Sequence, residues 1–82
     1  MVELDKVLHN LIEPMVEDVD SLDVRVLPSD NEKEVVLGVY AKSEDVARLI
    51  GRRGMMASAL RQVMSVASHA DNKRVTINFE EI

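Results

Sequence analysis

The chain has no cysteine and no tryptophan, and one tyrosine and one phenylalanine are the only aromatic residues among its 82 residues. The absence of cysteine excludes disulfides and thiol chemistry, and it fits the reducing cytosol. The scarcity of aromatic side chains leaves aliphatic residues and methionine to form the core. The chain also lacks a signal-peptide pattern and an apolar run long enough to span a bilayer. We therefore expect a cytoplasmic protein without membrane insertion.

Negative charge is missing from one continuous stretch, because no aspartate or glutamate occurs between Val46 and Ala70. Residues 1–45 contain 4 basic and 12 acidic side chains, whereas residues 46–79 contain 6 basic and 1 acidic, in a chain of net charge −5. The local field, rather than the net charge, determines where an anion binds. The second half is thus the expected anion-binding half, unless the charges segregate by chance.

Apolar residues at helical spacing predict an amphipathic helix over residues 2–19, which should kink or end at Pro14 because proline lacks a backbone N–H. We interpret this helix as a packing layer, since its polar face is too acidic for a membrane surface. Alternating apolar residues predict strands over residues 22–27, 34–41 and 75–79. The second strand has apolar residues on both faces, so we place it in the middle of the sheet.

Two further helices are expected between the second and third strands. The first covers residues 43–50 with Ser43 as its N-cap, and the second covers residues 55–70 before Asp71 and Asn72 break it. The residues expected on the buried face of the second helix are Met56, Leu60, Val63, Ala67 and Ala70.

The connections between the strands predict the topology of the sheet. A short turn makes the first two strands antiparallel, and a crossover of about thirty residues allows the second and third to be parallel. The predicted fold is α+β in the order α-β-β-α-α-β. It is a three-stranded mixed sheet with three helices on one face, and it occupies residues 1–82 as one domain.

Two glycines flank two arginines between the last two helices, in the run Leu49-Ile50-Gly51-Arg52-Arg53-Gly54. Glycine permits a sharp turn and the close approach of a ligand. The run leads into a helix start, where free N–H groups and the dipole favour an anion, and guanidinium groups match phosphate oxygens. The alternative for these arginines is a solvated loop tip. We predict a loop that binds a phosphodiester backbone.

The same run fits the apolar-Ile-Gly-x-x-Gly pattern of K-homology (KH) domains, with Leu60 further along the next helix. In element order and length the whole chain resembles the type II, bacterial form, and within it the small single-KH RNA-binding proteins of the KhpA group. The resemblance implies that single-stranded RNA lies between the two helices and the edge of the third strand, with about four nucleotides clamped by the loop. It also implies a homodimer, a larger KH-containing partner, and a post-transcriptional role as an RNA chaperone linked to cell shape, cell-wall biogenesis and division.

The candidate RNA-binding residues are the loop, apolar side chains expected on the groove floor, and basic side chains that attract the backbone. They are Val46, Arg48, Leu49, Ile50, Gly51, Arg52, Arg53, Gly54, Arg61, Lys73 and Arg74. Thr76 and Asn78 are expected to offer polar groups to base edges. For the apolar members, and for Leu60, the alternative is core packing.

Met55 departs from the pattern of that group, in which a basic residue often follows the second glycine. This leaves open a weaker affinity for nucleic acid, or a protein contact at Met55, Met56 and Met64, since methionine adapts to partner surfaces. An adaptor with little or no RNA binding of its own is therefore the alternative function, and single-stranded DNA is an alternative ligand. His9 and His69 are isolated and complete no catalytic or metal motif, so we expect no enzyme, no metal and no cofactor.

Overall fold

The helices and strands follow the predicted order in a computed structural model that describes residues 3–69 and 72–82. Their bounds are α1 Leu4–Ile12, β1 Asp23–Leu27, β2 Glu34–Ala41, α2 Ser43–Ile50, α3 Met55–Ser68 and β3 Arg74–Glu81. Short 3-10 turns occupy Glu13–Met15, Val19–Ser21 and Arg52–Gly54. The predicted α+β order is therefore confirmed. Val2, Ala70 and Asp71, on which parts of the predictions fall, lie outside the described residues.

The sheet has the strand order β1-β2-β3, with β1 and β2 antiparallel and β2 and β3 parallel. Val39 of β2 pairs with Val24 on β1 and with Phe79 on β3. β2 therefore lies in the middle, as predicted. β3 forms an edge, and its outer backbone groups face no other strand of the described chain.

The core lies between one face of the sheet and the three helices. Because side chains alternate along a strand, Leu37, Val39 and Ala41 of β2 all point into this core. The large apolar side chains that are fully buried are Leu8, Ile12, Leu37, Val39, Leu49 and Met64. Since α2 contributes Leu49 and α3 contributes Met64, both helices are anchored, and the connection between them has fixed ends.

The end of α1 and the start of α2 decide two predictions about helix boundaries. α1 ends before Pro14, which lies in the 3-10 turn that follows, so the proline ends the helix. The prediction that Ser43 is the N-cap of α2 is wrong. Lys42 takes that position because its backbone oxygen accepts the N–H groups of Asp45 and Val46, each at 2.9 Å, and Ser43 is the first helical residue.

α3 carries apolar side chains on two sides rather than one. Leu60 and Ala67 pack on the core as predicted, whereas Met56 and Val63 are exposed, which corrects their placement on the buried face. The buried side of the helix is centred near Leu60 and Met64. At 3.6 residues per turn, Met56 and Val63 lie to one side of that centre and reach solvent.

Candidate nucleic-acid interface

The loop of residues 51–54, hereafter the glycine loop, begins at Gly51 in a conformation that few other residues adopt, with φ 76° and ψ 176°. The Gly51 N–H donates to the oxygen of Ala47 at 3.0 Å and completes the last turn of α2. A Cβ atom at Gly51 would lie 2.7 Å from Cβ of Met56 and 2.9 Å from its backbone nitrogen. Glycine is therefore required here both for the chain direction and for close packing on α3.

Two backbone hydrogen bonds close the glycine loop. The N–H of Gly54 donates to the oxygen of Gly51 at 3.2 Å, and the N–H of Met55 donates to the oxygen of Arg52. Arg53 and Gly54 both have left-handed backbone, with φ 57° and 73°. Arg52 and Arg53 are both exposed at the tip of the loop. The side chains at the loop tip are therefore accessible to a ligand.

The space beside Gly54 is open. A Cβ atom built there would meet no atom within 4 Å other than those of its chain neighbours. Gly54 is also the N-cap residue of α3, and no side chain caps this helix. The positive end of the helix dipole thus faces a space that an anion can enter.

The lysines and arginines differ in whether a carboxylate lies beside them. Within the described residues, the Lys and Arg side chains that pair with a carboxylate are Lys6, Arg25, Lys42 and Arg48. Those without a carboxylate within ion-pair distance, in residues 3–69 and 72–82, are Lys33, Arg52, Arg53, Arg61, Lys73 and Arg74. The described carboxylates therefore do not neutralise the loop arginines.

Arg48 was predicted to attract RNA, but its guanidinium is committed to the protein itself. It donates to Oδ1 of Asp45 and to Oε1 of Glu17, each at 2.9 Å. Two carboxylates therefore balance its charge. The structure does not group Arg48 with the unpaired arginines of the glycine loop.

Asp45 holds α2 in place, and sequence reasoning treated it only as an acidic residue in a first helical turn. The residue is buried, with 2% of its surface exposed. Its two oxygens accept the backbone N–H groups of Glu17 at 2.9 Å and Asp18 at 3.1 Å. These hydrogen bonds, and then the Arg48 guanidinium, hold the pKa of Asp45 below its ordinary value of 3.8. Asp45 thereby ties the helix that leads into the glycine loop to the segment after α1.

Most of the apolar residues predicted to contact RNA lie in the core, and one lies at the edge of the core. Val46, Leu49 and Leu60 are buried in the core, so their side chains offer little surface to a ligand. Ile50 is half-buried and packs on the edge of the core. Contact between Ile50 and RNA stays a prediction. The buried residues support Ile50 from the core side.

Lys73 and Arg74 lie at the end of α3 away from the glycine loop. The oxygen of Lys73 accepts the hydroxyl of Ser68, the last residue of α3, at 3.0 Å. The N–H of Arg74 donates to the oxygen of Lys33 at 2.7 Å. At 1.5 Å per residue, α3 separates this end from the loop by about 20 Å. The structure therefore does not bring Lys73 and Arg74 together with the loop arginines, and Arg61 is exposed between the two ends.

Side chains alternate along β3, and this alternation corrects one prediction. Val75, Ile77 and Phe79 pack toward the helices. Thr76 and Asn78 therefore project from the opposite face of the sheet and do not reach bases in a groove beside α2 and α3. The outer backbone edge of β3 is the part of this strand that remains suited to base edges.

Comparison with known proteins gives consistent matches over most of the chain. A family model described as KhpA/KhpB, KH domain, matches residues 5–79. The RNA-binding protein KhpA of Clostridium acetobutylicum is 28% identical over 74 residues, which cover 90% of this chain and 96% of that protein. The protein of the same name from Leifsonia xyli is 37% identical over 71 residues, covering 87% and 88%. That from Lactiplantibacillus plantarum is 26% identical over 81 residues, covering 99% and 93%.

The element order, the mixed sheet and the position of the loop between α2 and α3 are those of a type II KH domain. The chain belongs to the KhpA/KhpB KH-domain family, whose model spans nearly all of its length. This family is not enzymatic, so the expectation that the chain is not an enzyme is confirmed. Within the described part of the chain, no helix has the length and apolarity needed to cross a membrane.

Proposed function

We propose that this protein binds single-stranded RNA by clamping the sugar-phosphate backbone at the glycine loop. The observation that carries the proposal is the open space at Gly54, which lies at the uncapped start of α3 and next to the exposed Arg52 and Arg53. The two arginine side chains have no carboxylate partner among the described residues, so they add unbalanced positive charge. The relatives reported above are named RNA-binding proteins, which agrees with this ligand.

The backbone N–H groups and the arginine side chains have separate tasks in this mechanism. The backbone N–H groups at the uncapped start of α3 hold phosphate oxygens at a fixed position. The guanidinium groups of Arg52 and Arg53 attract the strand and supply charge-assisted hydrogen bonds. The bases extend along the groove past Ile50 toward the outer edge of β3, whose backbone groups meet base edges.

A single groove contacts few phosphates, so we expect its affinity to be low and sensitive to salt. Pairing two grooves raises the apparent affinity, because the second contact becomes intramolecular. We therefore propose that the protein acts in the cytoplasm as a homodimer or with a larger KH-containing partner. The proposed role is post-transcriptional regulation linked to the cell envelope and division.

Charge reversal at the loop tip tests the proposal. The double variant Arg52→Asp/Arg53→Asp should abolish binding of a labelled single-stranded RNA in fluorescence anisotropy, because repulsion replaces attraction at the phosphates. The matched control is Lys6→Asp/Arg25→Asp, which changes the net charge equally at exposed residues outside the loop. Circular dichroism confirms that both variants fold. Equal loss in both variants, or unchanged binding in the loop variant, would contradict the proposal.

The exposure of Met55 and Met56 beside the loop favours the second candidate, a protein-interaction adaptor. An adaptor predicts no RNA binding by the wild-type protein even at low salt. Competition with a DNA strand of matched sequence distinguishes the nucleic acids. A preference for RNA is expected if the 2′-hydroxyl groups are contacted.

A further inference from the structure

A surface cavity of about 420 Å³, hereafter the distal pocket, lies at the end of α3 away from the glycine loop. Two chain segments line it, one before and at the start of β2 and the other between α3 and β3. The N–H of Arg74 in the second segment donates to the oxygen of Lys33 in the first at 2.7 Å. Because this hydrogen bond joins the two segments beside the sheet, the walls of the pocket have fixed positions.

The described lining of the distal pocket is rich in positive charge. Lys33, Lys73 and Arg74 line it, and all three are exposed. None of them has a carboxylate of the described residues within ion-pair distance. Glu34 is the one carboxylate among the described lining residues. Ammonium and guanidinium groups that converge in this way match the oxygens of a phosphate group.

The remaining side chains of the described lining are polar and can donate hydrogen bonds. They belong to Asn31, His69 and Asn72. Oδ1 of Asn31 accepts the N–H of Lys33 at 2.9 Å, which leaves the amide NH2 group, a donor, for a ligand. No apolar side chain is among the described lining residues. The pocket therefore suits a small, polar, anionic group rather than an apolar ligand.

Cations near the end of a helix also favour the negative end of its dipole, which is an alternative role for Lys73 and Arg74. The backbone itself already occupies carbonyl groups at this end of α3. The oxygen of Ser68 accepts the N–H of Lys73 at 3.5 Å, and the oxygen of His69 accepts that of Asn72 at 3.0 Å. Side-chain donors are therefore not needed to satisfy these two carbonyl groups, and the cationic heads remain accessible to a ligand.

We propose that the distal pocket binds a phosphate group. This inference rests on the proposed function where it names the source, which is a backbone phosphate of the RNA strand held at the glycine loop. The two sites are about 20 Å apart along α3, which corresponds to about six nucleotides at the 3.4 Å spacing of a stacked strand. Since the loop clamps about four nucleotides, a strand of about ten reaches both sites and gains affinity from the second contact.

Fluorescence anisotropy with RNA strands of about 4 and about 12 nucleotides tests the RNA source. The wild type should bind the longer strand at least about tenfold more tightly. The variant Lys73→Gln/Arg74→Gln should lose most of this gain, and its salt dependence should fall by about one phosphate contact. Its affinity for the shorter strand should be unchanged, because that strand does not reach the pocket.

The matched control for this variant is Lys6→Gln/Arg25→Gln, which removes the same charge at exposed residues outside the pocket and should keep the gain. Circular dichroism confirms that both variants fold. Equal affinities of the two variants for the longer strand would overturn the RNA source. A wild type that binds neither strand would contradict the proposed function, and phosphate binding would then decide the pocket by itself.

An NMR titration with inorganic phosphate, without RNA and at an ionic strength held constant with chloride, tests the pocket directly. We expect saturable shifts at the backbone amides of Asn72, Lys73 and Arg74, with a dissociation constant of about millimolar size because one anion makes few contacts. The variant Lys73→Gln/Arg74→Gln should lose these shifts. The loop variant Arg52→Asp/Arg53→Asp should keep them, so the result is independent of the glycine loop.

The outcomes of the two experiments separate the possible ligands of the distal pocket. Phosphate shifts together with the loss of the length gain support the proposal in full. Phosphate shifts without an effect on the longer RNA would overturn the RNA source and assign the pocket to a free phosphate compound. Neutralisation that lowers only the stability of the fold, with no phosphate-dependent shift in the wild type, would overturn the proposal and assign the cations to the dipole of α3.

Discussion

Gly51 and Gly54 contribute to the glycine loop in different ways. Gly51 touches Met56 and has a backbone conformation that is nearly restricted to glycine, whereas Gly54 is left-handed beside open space. The motif in the sequence predicted that both positions matter. The motif did not distinguish the roles of the two glycines, because the difference depends on the tertiary contact between Gly51 and Met56 of α3.

Alanine at the two glycines should therefore have unequal effects on stability. We expect Gly51→Ala to lower the free energy of unfolding by about 2–5 kcal/mol, because backbone strain adds to a steric overlap. Gly54→Ala carries the strain alone and should cost about 1–2 kcal/mol. Urea unfolding followed by circular dichroism measures both values. Similar losses of stability in the two variants would contradict this account. They would show that the steric overlap with Met56 adds nothing to the backbone strain at Gly51.

The buried carboxylate of Asp45 predicts a dependence of stability on pH. Because its pKa is lowered in the folded protein, Asp45 stabilises the fold above its ordinary pKa of 3.8, and this contribution is lost as the pH falls through the folded value. Asp45→Asn should be less stable than the wild type at neutral pH, and the difference should shrink in acid. Urea unfolding at neutral pH and at acidic pH measures this difference in the free energy of unfolding. The control variant is Glu44→Gln, in the exposed first turn of α2. A difference that is constant with pH would contradict this role.

At the scale of elements, α3 shows where prediction from sequence stops. Helical spacing predicted that the helix is amphipathic, and Leu60 and Ala67 are in the core as expected. Met56 and Val63 were predicted on the buried face with Leu60 and Ala67. The helix has two apolar sides next to each other, and the sequence alone does not show where one ends and the other begins. The side that is buried depends on how α3 lies on the sheet, which local spacing does not encode. β3 was easier to predict, because its strict alternation defines two faces.

The roles of α2 and α3 predict opposite effects for two arginines. Arg48→Ala should lower the free energy of unfolding, because Asp45 and Glu17 lose their cation, and it should leave RNA affinity nearly unchanged. Arg61→Ala should change stability by less than about 0.5 kcal/mol, since Arg61 is exposed. It should weaken RNA binding and reduce the salt dependence by about one phosphate contact. Unfolding and anisotropy measurements on both variants check this, and the reverse pattern would contradict the assignment.

At the scale of the whole molecule, topology was the most predictable feature. The order of elements follows from the periodicity of apolar residues, and the parallel pairing of β2 with β3 follows from the length of their connection. Both are confirmed. The neutralisation of Arg48 was not predictable, because Glu17 is 31 residues away in the sequence. Lys73 and Arg74 appeared to join the loop arginines by charge alone, but the length of α3 separates them.

The most direct test of the glycine loop as an RNA clamp is an NMR titration of isotopically labelled protein with a short single-stranded RNA. The account predicts the largest shifts at the backbone amides of Arg52 and Arg53 and in the first turn of α3. The face of the sheet around Arg25 and Tyr40 should change little. Loop amides that stay unchanged while another surface responds, or no response at low salt, would contradict the central claim.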